Sequence, residues 1–230
     1  MVNLAEVINQ ESSVNAIECD YEARNIPRSR LGLSQAGHEC PRYLWYCHHG
    51  YIGKQPEGRV LRLFQLGNLL EDQTILDLKS AGFYHHSSQK QVTFSNNDVV
   101  LKGHIDGIVE GLLESPKTPH LFEHKTCSGK KYKELIKAGS YKKWNEVYYW
   151  QVQIYMLGLK LKRAAVFVYN KDTSALYMER IKLNRDATIK KLEHVFNAIS
   201  GDIPERKCPN AGFYKAKWCV FYEECFKCNK

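Results

Sequence analysis

Apolar residues recur at helical spacing in four long stretches of the chain. A cap or stop signal accompanies three of them: Ser34 precedes the first, Gly82 ends the second, and Asp186 and Gly201 bound the last. The spacing predicts helices at 34–50, 61–82, 145–160 and 186–201. The polar and mixed first thirty residues are expected to form a helix and a loop.

Shorter apolar runs have the length and composition of strands. The stretch 89–111 predicts two strands joined by a turn at Asn96, Asn97 and Asp98. Further strands are expected at 121–126, 164–172 and 176–184. Helices before, between and after these strands predict a mixed α/β class with a small central sheet flanked by helices.

Two of the predicted strands carry charged residues among apolar ones. Asp106 lies inside the run 99–110, and Glu123 and Lys125 lie in the strand 121–126. Such charges could line a strand edge that faces solvent. Their apolar neighbours favour burial instead, and burying a charge is costly unless it is paired or binds a metal ion.

The charged residues are of the types that bind a hard divalent cation. Two carboxylates on adjacent strands can share one magnesium ion, which prefers a few carboxylates and several waters. Glu123 and Lys125 are two positions apart and therefore point to the same face of a strand. The lysine could then stabilise a metal-bound hydroxide and the charge that develops on a phosphate. His124 points to the opposite face, but its backbone carbonyl is available to the metal.

Net charge favours a polyanionic partner. The 230 residues carry a formal charge of +8 and have a pI of about 9.0. Six lysines and one acid lie in 129–144, which predicts either a solvated loop or helix or a phosphate-contacting surface. No apolar run is long enough for a membrane span, and the first residues lack a signal-peptide pattern, so we expect a cytoplasmic protein without membrane partners.

Eight cysteines are present, and three of them crowd the C-terminus as Cys219, Cys225 and Cys228. In a reducing compartment a disulfide framework is not expected. The spacing suggests metal or cluster ligands, and ordinary buried thiols are the alternative.

Five short motifs, taken in order, resemble one nuclease superfamily. "GHID" followed by "FEHK" resembles the D…E-x-K core of the PD-(D/E)XK nucleases, and "QVQIY" resembles the Q-x-x-x-Y motif of their RecB-like branch. "FQLGNLLED" and "HECPRYLWY" resemble two further motifs of that branch, and the C-terminal cysteines resemble the iron–sulfur clasp of CRISPR-associated and helicase-linked exonucleases. The compact layout is most similar to that of phage-encoded, stand-alone exonucleases.

The resemblance implies a restriction-endonuclease-like fold and a set of site residues. It implies metal ligands at Asp106 and Glu123, with Glu71 and the His124 backbone carbonyl nearby. It implies a catalytic Lys125, and a helix face with Gln151 and Tyr155 over the site. An amphipathic helix that merely packs on the sheet is the alternative for the last two residues. Arg42 is expected to contact a phosphate or to form a structural salt bridge.

Two positions depart from the family pattern. Asn68 occupies the place of a histidine, which predicts an altered preference between manganese and magnesium because imidazole is a good manganese ligand. Ala216 stands where the first clasp cysteine is expected. The ligand set would then be Cys40, Cys219, Cys225 and Cys228, with Cys208 as the substitute for Cys228. A four-iron cluster, a zinc ion or no metal at all remain open.

The sequence therefore predicts a Mg²⁺- or Mn²⁺-dependent DNA exonuclease. Its expected layout is a single domain over 1–230, with an extension at 1–33, a nuclease core at 34–203 and a cysteine-rich segment at 204–230. Single-stranded DNA or duplex ends, and recombination or replication proteins, are the expected partners, in the cytoplasm of a bacterium or a phage-infected host. The alternative is a catalytically weak DNA-binding or recombination-complex subunit with the same fold.

Overall fold

The structure is a computed structural model that describes residues 12–227, so the expectations for Cys228 and for the first eleven residues lie outside it. None of the helices in that span is long and apolar enough to cross a bilayer. The helices are α1 (Ser13–Arg24), α2 (Pro41–His48), α3 (Gly58–Ser80), α4 (Gly129–Ala138), α5 (Tyr141–Trp144), α6 (Glu146–Leu159), α7 (Arg185–Ser200), α8 (Tyr214–Lys217) and α9 (Tyr222–Phe226). A short 3₁₀ helix spans Leu33–Gln35.

The strands form a five-stranded mixed sheet and a separate hairpin. They are β1 (Tyr84–His86), β2 (Gln91–Asn96), β3 (Val99–His104), β4 (Gly107–Glu110), β5 (His120–Cys127), β6 (Arg163–Asn170) and β7 (Leu176–Lys182). The sheet has the order β1-β4-β5-β6-β7, and β2 pairs with β3 alone. β5 and β6 are parallel and are connected through α4, α5 and α6, whereas the other neighbours are antiparallel.

Apolar side chains cover both faces of the sheet, and this explains why the central strands are apolar almost throughout. On one face, Leu121 and Val166 belong to the larger core, which also includes residues of α2, α6 and α7. On the other face, Phe122 and Phe167 pack with Leu78 of α3. Successive residues of β5 therefore face different helices. Two residues that are two positions apart, such as Glu123 and Lys125, face the same side.

The apolar run 99–110 is two strands, not one. β3 ends at His104 and pairs with β2, whereas β4 begins at Gly107 and pairs with β1 and β5. Ile105 and Asp106 form the link between the hairpin and the sheet. Hydrophobic content alone could not reveal this break, because both halves are apolar and Ile105 is fully buried.

Two predicted helix caps are wrong. Ser34 lies inside the 3₁₀ helix, and the following α-helix begins only at Pro41, whose fixed φ suits a first helical position. Asp186 lies in the first turn of α7, and the capping side chain is that of Asn184, which accepts a hydrogen bond from the Ala187 amide at 3.2 Å.

The C-terminal segment packs on α2, far away in sequence. The Tyr46 hydroxyl donates to the Glu224 carbonyl at 3.1 Å, and the Lys54 amide donates to the Val220 carbonyl at 2.8 Å. Phe221 is buried, and its ring lies 5.2 Å from that of Tyr46. Residues 220–224 are thus anchored beside α2.

Candidate active site

Asp106, Glu123 and Lys125 come together where β4 meets β5. Glu123 and Lys125 share a face of β5 and form an ion pair through Oε1 and Nζ. Asp106 directly precedes β4, and its Oδ2 accepts a hydrogen bond from the His124 amide at 2.8 Å. The β4–β5 ladder ends at the Gly107–Phe122 pair, so the Asp106 carboxylate takes the next position along that edge.

The Glu123 carboxylate is buried, and half of its hydrogen-bonding capacity is unused. Its exposed fraction is 0%, and Oε1 accepts from Lys125 and from Gln151 Nε2, the latter at 2.8 Å. Oε2 is buried and has no hydrogen-bond partner among the described residues. A buried, partnerless carboxylate oxygen is costly. A cation at this position would supply the missing partner.

Three carboxyl groups share one lysine, and their pKa values reflect it. Burial, and then repulsion from Asp106, raises the pKa of Glu123 to about 8. The same two causes raise the pKa of Glu71 to about 7, and burial raises the pKa of Asp106. Burial opposes the charged form of Lys125, but attraction to Glu123 and Asp106 outweighs it and raises its pKa. The positive charge of one ammonium group does not compensate the negative charges of three carboxylates in a largely buried site.

Glu71 reaches this group from α3. It is half-buried, and its pKa responds to Asp106 and Lys125, so it lies on the side of the helix that faces the site. Asn68 precedes it by one helical turn and is exposed. Glu71 is therefore the acid of α3 whose pKa responds to Asp106, and Asn68 lies at the solvent side of the same helix face.

His124 faces the opposite side of the sheet, as the strand period requires. Its Nε2 lies 3.1 Å from Thr74 Oγ1, and that hydroxyl donates its proton to the Leu70 carbonyl at 2.9 Å. Nε2 must therefore be the donor to Thr74. Burial lowers the pKa of His124 to about 4, so the ring is neutral. The His124 carbonyl points to the same strand edge as its amide, which is the Asp106 side.

Gln151 and Tyr155 lie on one face of α6, and both are buried. Gln151 bonds to Glu123 as described, so this helix contacts the carboxylate directly. The Tyr155 ring packs on β3 at Gly103, where an added Cβ would lie 2.5 Å from the Tyr155 hydroxyl oxygen. Only a glycine permits this close approach of strand and helix.

Tyr141 and Tyr148 also belong to the site, and the sequence motifs did not indicate them. The Lys125 ammonium lies 5.2 Å from the centre of the Tyr148 ring, within the range of a cation–π contact. The Tyr141 hydroxyl is buried without a hydrogen-bond partner in the described part of the chain, and its pKa is raised by burial. Aromatic residues are frequent in 141–150, so composition alone does not distinguish these two.

A cleft of about 1000 Å³ leads to Gln151 and Tyr155. The segment 26–34 and the β2–β3 hairpin form its walls, with basic side chains at Arg28, Arg30 and Lys102. Asp106, Glu123 and Lys125 do not line it. Asp106, Glu71 and Lys125 are each partly exposed, so solvent reaches part of the charged group.

The lysine-rich stretch forms helices α4 and α5, so it takes the helical and not the loop form of the two that were expected for a solvated segment. Ser128 and Ser140 cap them by accepting from Lys131 and Lys143 amides. All six lysines of 129–144 are exposed, and of the ion pairs within residues 12–227 only Lys131–Glu134 involves one of them. The stretch follows β5 directly, so a basic surface adjoins the strand that carries Lys125.

Four cysteines line one small, apolar cavity of about 30 Å³. Three of them were expected to converge, and the fourth is the proposed substitute; they are Cys40, Cys208, Cys219 and Cys225. Ala216 is buried in the same wall. Arg42 also lines this cavity, with its Nε 3.3 Å from the Tyr46 hydroxyl, and it takes part in none of the ion pairs among the described residues. The structure thus places Arg42 away from the carboxylates.

The donor atoms of the carboxylate site suit a hard divalent cation. Within residues 12–227, no three His, Cys, Asp or Glu side chains are arranged to hold one metal ion. Magnesium needs fewer protein ligands, because one or two carboxylates and several waters satisfy it. Asp106 and Glu123, with its partnerless oxygen, match that donor set, and oxygen ligands suit manganese as well.

Comparison with known proteins shows the fold. No protein-family model and no curated protein matches the sequence. The crystal structure of an alkaline exonuclease, LHK-Exo from Laribacter hongkongensis, has a TM-score of 0.50 at 15% identity, covering 78% of this chain and 89% of that one. LHK-Exo in complex with dAMP gives 0.49 at 17% identity, with 78% and 89% covered. A protein named SSO0001 gives 0.49 at 16% identity, with 90% and 91% covered. The mixed sheet flanked by helices confirms the predicted restriction-endonuclease-like α/β fold, which this chain shares with an alkaline exonuclease.

Proposed function

We propose that this protein is a metal-dependent deoxyribonuclease that hydrolyses phosphodiester bonds. The observation that carries the proposal is the fully buried Glu123 carboxylate. Lys125 and Gln151 hold one of its oxygens, and the other has no hydrogen-bond partner among the described residues. Such an arrangement is costly for folding and favours a ligand that bears positive charge. The shared fold with LHK-Exo, an alkaline exonuclease by its name, supports the same chemistry.

Each residue of the site has a definite task in this proposal. Asp106 and Glu123 would hold Mg²⁺ or Mn²⁺, together with the His124 carbonyl and, through water, Glu71. The metal, when bound, lowers the pKa of a water molecule and neutralises phosphate charge. Lys125 stabilises the anionic oxygens of the attacked phosphate. Gln151 fixes the orientation of Glu123, and Tyr155 holds α6 against the hairpin at Gly103.

A cleavage assay tests the proposal. End-labelled linear DNA and covalently closed circular DNA are incubated with Mg²⁺, Mn²⁺ or EDTA. We expect cleavage of linear DNA that depends on the metal and is lost in Glu123→Ala but retained in Glu193→Ala, an exposed glutamate of α7. Cleavage of the linear substrate alone would support the exonuclease mode and a role in DNA recombination or processing. Cleavage that persists in Glu123→Ala would refute the site assignment.

A DNA-binding module without catalysis is the rival function. Asn68, which replaces the expected histidine, favours it, whereas the paired Asp106, Glu123 and Lys125 oppose it. DNA binding in EDTA combined with no cleavage in either metal would establish the rival. The division at residues 33 and 204 into an extension, a core and a cysteine-rich segment stays a prediction in both cases.

We also propose that Cys40, Cys208, Cys219 and Cys225 are the ligands of an iron–sulfur cluster. The four thiols line one apolar cavity together with the buried Tyr46 and Phe221. No three of the described cysteines are arranged to hold one metal ion as they stand, so a cluster would require these side chains to move together. Thiolates in such an environment are typical cluster ligands. The cluster would link α2 to the C-terminal segment and would therefore stabilise the fold rather than take part in hydrolysis.

Anaerobic purification tests the cluster. We expect brown protein with broad absorbance near about 400 nm, and loss of the colour in Cys208→Ala. Cys127→Ala is the matched control, because Cys127 is a free thiol on β5 outside the cavity. Colourless protein with stoichiometric zinc would indicate a zinc site in place of the cluster. Protein with neither iron nor zinc would indicate that the four cysteines are ordinary thiols. Retained colour in Cys208→Ala would mean that Cys228 is the fourth ligand.

A further inference from the structure

A second large groove lies on the other side of the segment 26–30 from the cleft described above. Its volume is about 880 Å³, and residues of α3, the segment 51–56 and the C-terminal segment line it. The Lys54–Val220 backbone hydrogen bond joins two of its walls. A Cβ on Gly53 would lie 2.9 Å from Val220, so these walls are packed against each other and the groove has a firm base.

The groove carries positive charge without compensation. Arg28, Arg30, Lys54 and Lys217 line it, and none of the described lining residues is acidic. The ion pairs among residues 12–227 include none of these four. Within residues 12–227, the Arg28 guanidinium donates hydrogen bonds only to neutral oxygens, Ser34 Oγ and Gln35 Oε1, each at 3.4 Å. An anionic ligand would meet four cations and no carboxylate.

Large apolar side chains are exposed along the same groove. Trp218 is 86% exposed and Phe64 is 58% exposed, and Tyr51 and Ile26 also lie in the lining with exposed side chains. Exposed tryptophan of this degree is unusual on a protein surface, and it commonly marks a binding site. Planar apolar groups beside cations match one class of ligand well: unpaired nucleotides, which have stacking faces and phosphates.

The groove and the cleft adjoin each other along the segment 26–30. Arg28, Arg30, Ile26 and Pro27 line both of them, and Gln151 and Tyr155 also line the cleft. Gln151 bonds to Glu123. A chain of phosphates could therefore pass from Trp218, over the segment 26–30, towards the carboxylate site.

We propose that this groove binds single-stranded DNA, with a base stacked on Trp218 and phosphates on Lys54 and Lys217. The strand then runs past Arg28 and Arg30 towards the active site. Whether the bound strand is a substrate or a product rests on the proposed function. The binding of the strand does not rest on it. Duplex DNA fits less well, because its bases are stacked on one another and cannot stack on Trp218.

Binding in EDTA tests the groove independently of cleavage. The probe is a fluorescein-labelled oligothymidylate of about 12 nucleotides, a length within the usual site size, and the readout is fluorescence anisotropy. Trp218→Ala should weaken binding about tenfold, and Trp218→Phe should restore most of it because a ring remains for stacking. Tyr84→Ala is the matched control, since Tyr84 is an aromatic residue of β1 that is 64% exposed and lies outside both cavities.

Salt dependence tests the phosphate contacts. The double variant Lys54→Ala/Lys217→Ala should reduce the slope of log Kd against log salt by about 1.4, because each contact with single-stranded DNA contributes about 0.7. Lys117→Ala, an exposed lysine between β4 and β5, should leave the slope unchanged. A wild-type slope in the double variant would contradict the phosphate contacts.

The outcomes separate this inference from the proposed function. Unchanged oligothymidylate binding in Trp218→Ala, or equal affinity for a labelled duplex of the same length, would overturn the single-strand groove even if the enzyme cleaves DNA. Binding that depends on Trp218 and Lys217, without cleavage in Mg²⁺ or Mn²⁺, would support the groove and refute the nuclease assignment.

Discussion

Glu123 should take up a proton when the metal-free protein folds. Its pKa in the folded state is about 8, against 4.5 for the exposed side chain, because of burial and the nearby Asp106. A carboxyl group whose pKa is raised by folding binds more protons in the native than in the unfolded state. Native stability therefore falls as pH rises from about 4.5 to about 8, which is the interval between the two pKa values.

The size of this effect follows from linkage. One proton per molecule corresponds to about 1.4 kcal/mol per pH unit, so Glu123 should cost about 2 to 3 kcal/mol of stability between about pH 5 and pH 7. Other groups also titrate in this interval. His124 acts in the opposite direction, because burial lowers its pKa to about 4 and its protonation at low pH disfavours the native state. A comparison with Glu123→Gln isolates the glutamate.

Urea unfolding in EDTA at a series of pH values measures the difference. Glu123→Gln keeps an oxygen that can accept from Gln151 and Lys125 but cannot ionise, so the contribution of this side chain to stability does not depend on pH. The stability of the variant relative to wild type should rise by about 2 to 3 kcal/mol from about pH 5 to pH 7. Glu193→Gln is the control. A difference independent of pH would show that Lys125 keeps Glu123 ionised, and the reasoning from burial would be wrong.

Three further results are expected. Lys125→Met should lower the rate of DNA cleavage by at least about 10²-fold with little loss of DNA binding, since the ammonium acts on charge that develops in the transition state. Single-turnover rates and Kd are measured in parallel, and an equal loss of rate and of affinity would contradict this role. The triple change of Lys130, Lys131 and Lys133 to Ala should reduce the slope of log Kd against log salt for duplex binding by about 2 to 3. An unchanged slope would indicate that α4 is a solvated surface without phosphate contacts. Asn68→His should raise the ratio of manganese- to magnesium-supported activity; a constant ratio would place residue 68 outside the reach of the metal.

The sequence was sufficient for the parts of the site that lie on one regular element. The period of two in a strand places Glu123 and Lys125 on one face and His124 on the other, and the helical period places Gln151 and Tyr155 together. The structure has all three arrangements. Local geometry determines such relations, and the surrounding fold does not alter them.

Relations between remote segments were harder to predict. The break at Asp106 depends on β3 and β4 joining different sheets, and apolar composition is the same on both sides. The cap at 186 was wrong because Asn184 takes that role. The cap at 34 was wrong because the α-helix begins only at Pro41, after Cys40, and has no side-chain cap. Tyr141 carried no periodic signal because its burial depends on tertiary packing. Trp218 is exposed, and its place in the groove depends on where the C-terminal segment lies on the fold.

The contact between Tyr46 and Glu224 can form only late during synthesis of the chain. These residues are 178 positions apart, and the side of α2 that Phe221 covers cannot gain this partner until residues 221–224 have left the ribosome. At about 5 to 20 residues per second, that interval is about 10 to 35 s. The strands that carry Asp106, Glu123 and Lys125 are complete well before then. A nascent chain would thus have its carboxylates in place while Tyr46 and its neighbours are still exposed, and this is the period in which aggregation or a chaperone would compete with folding.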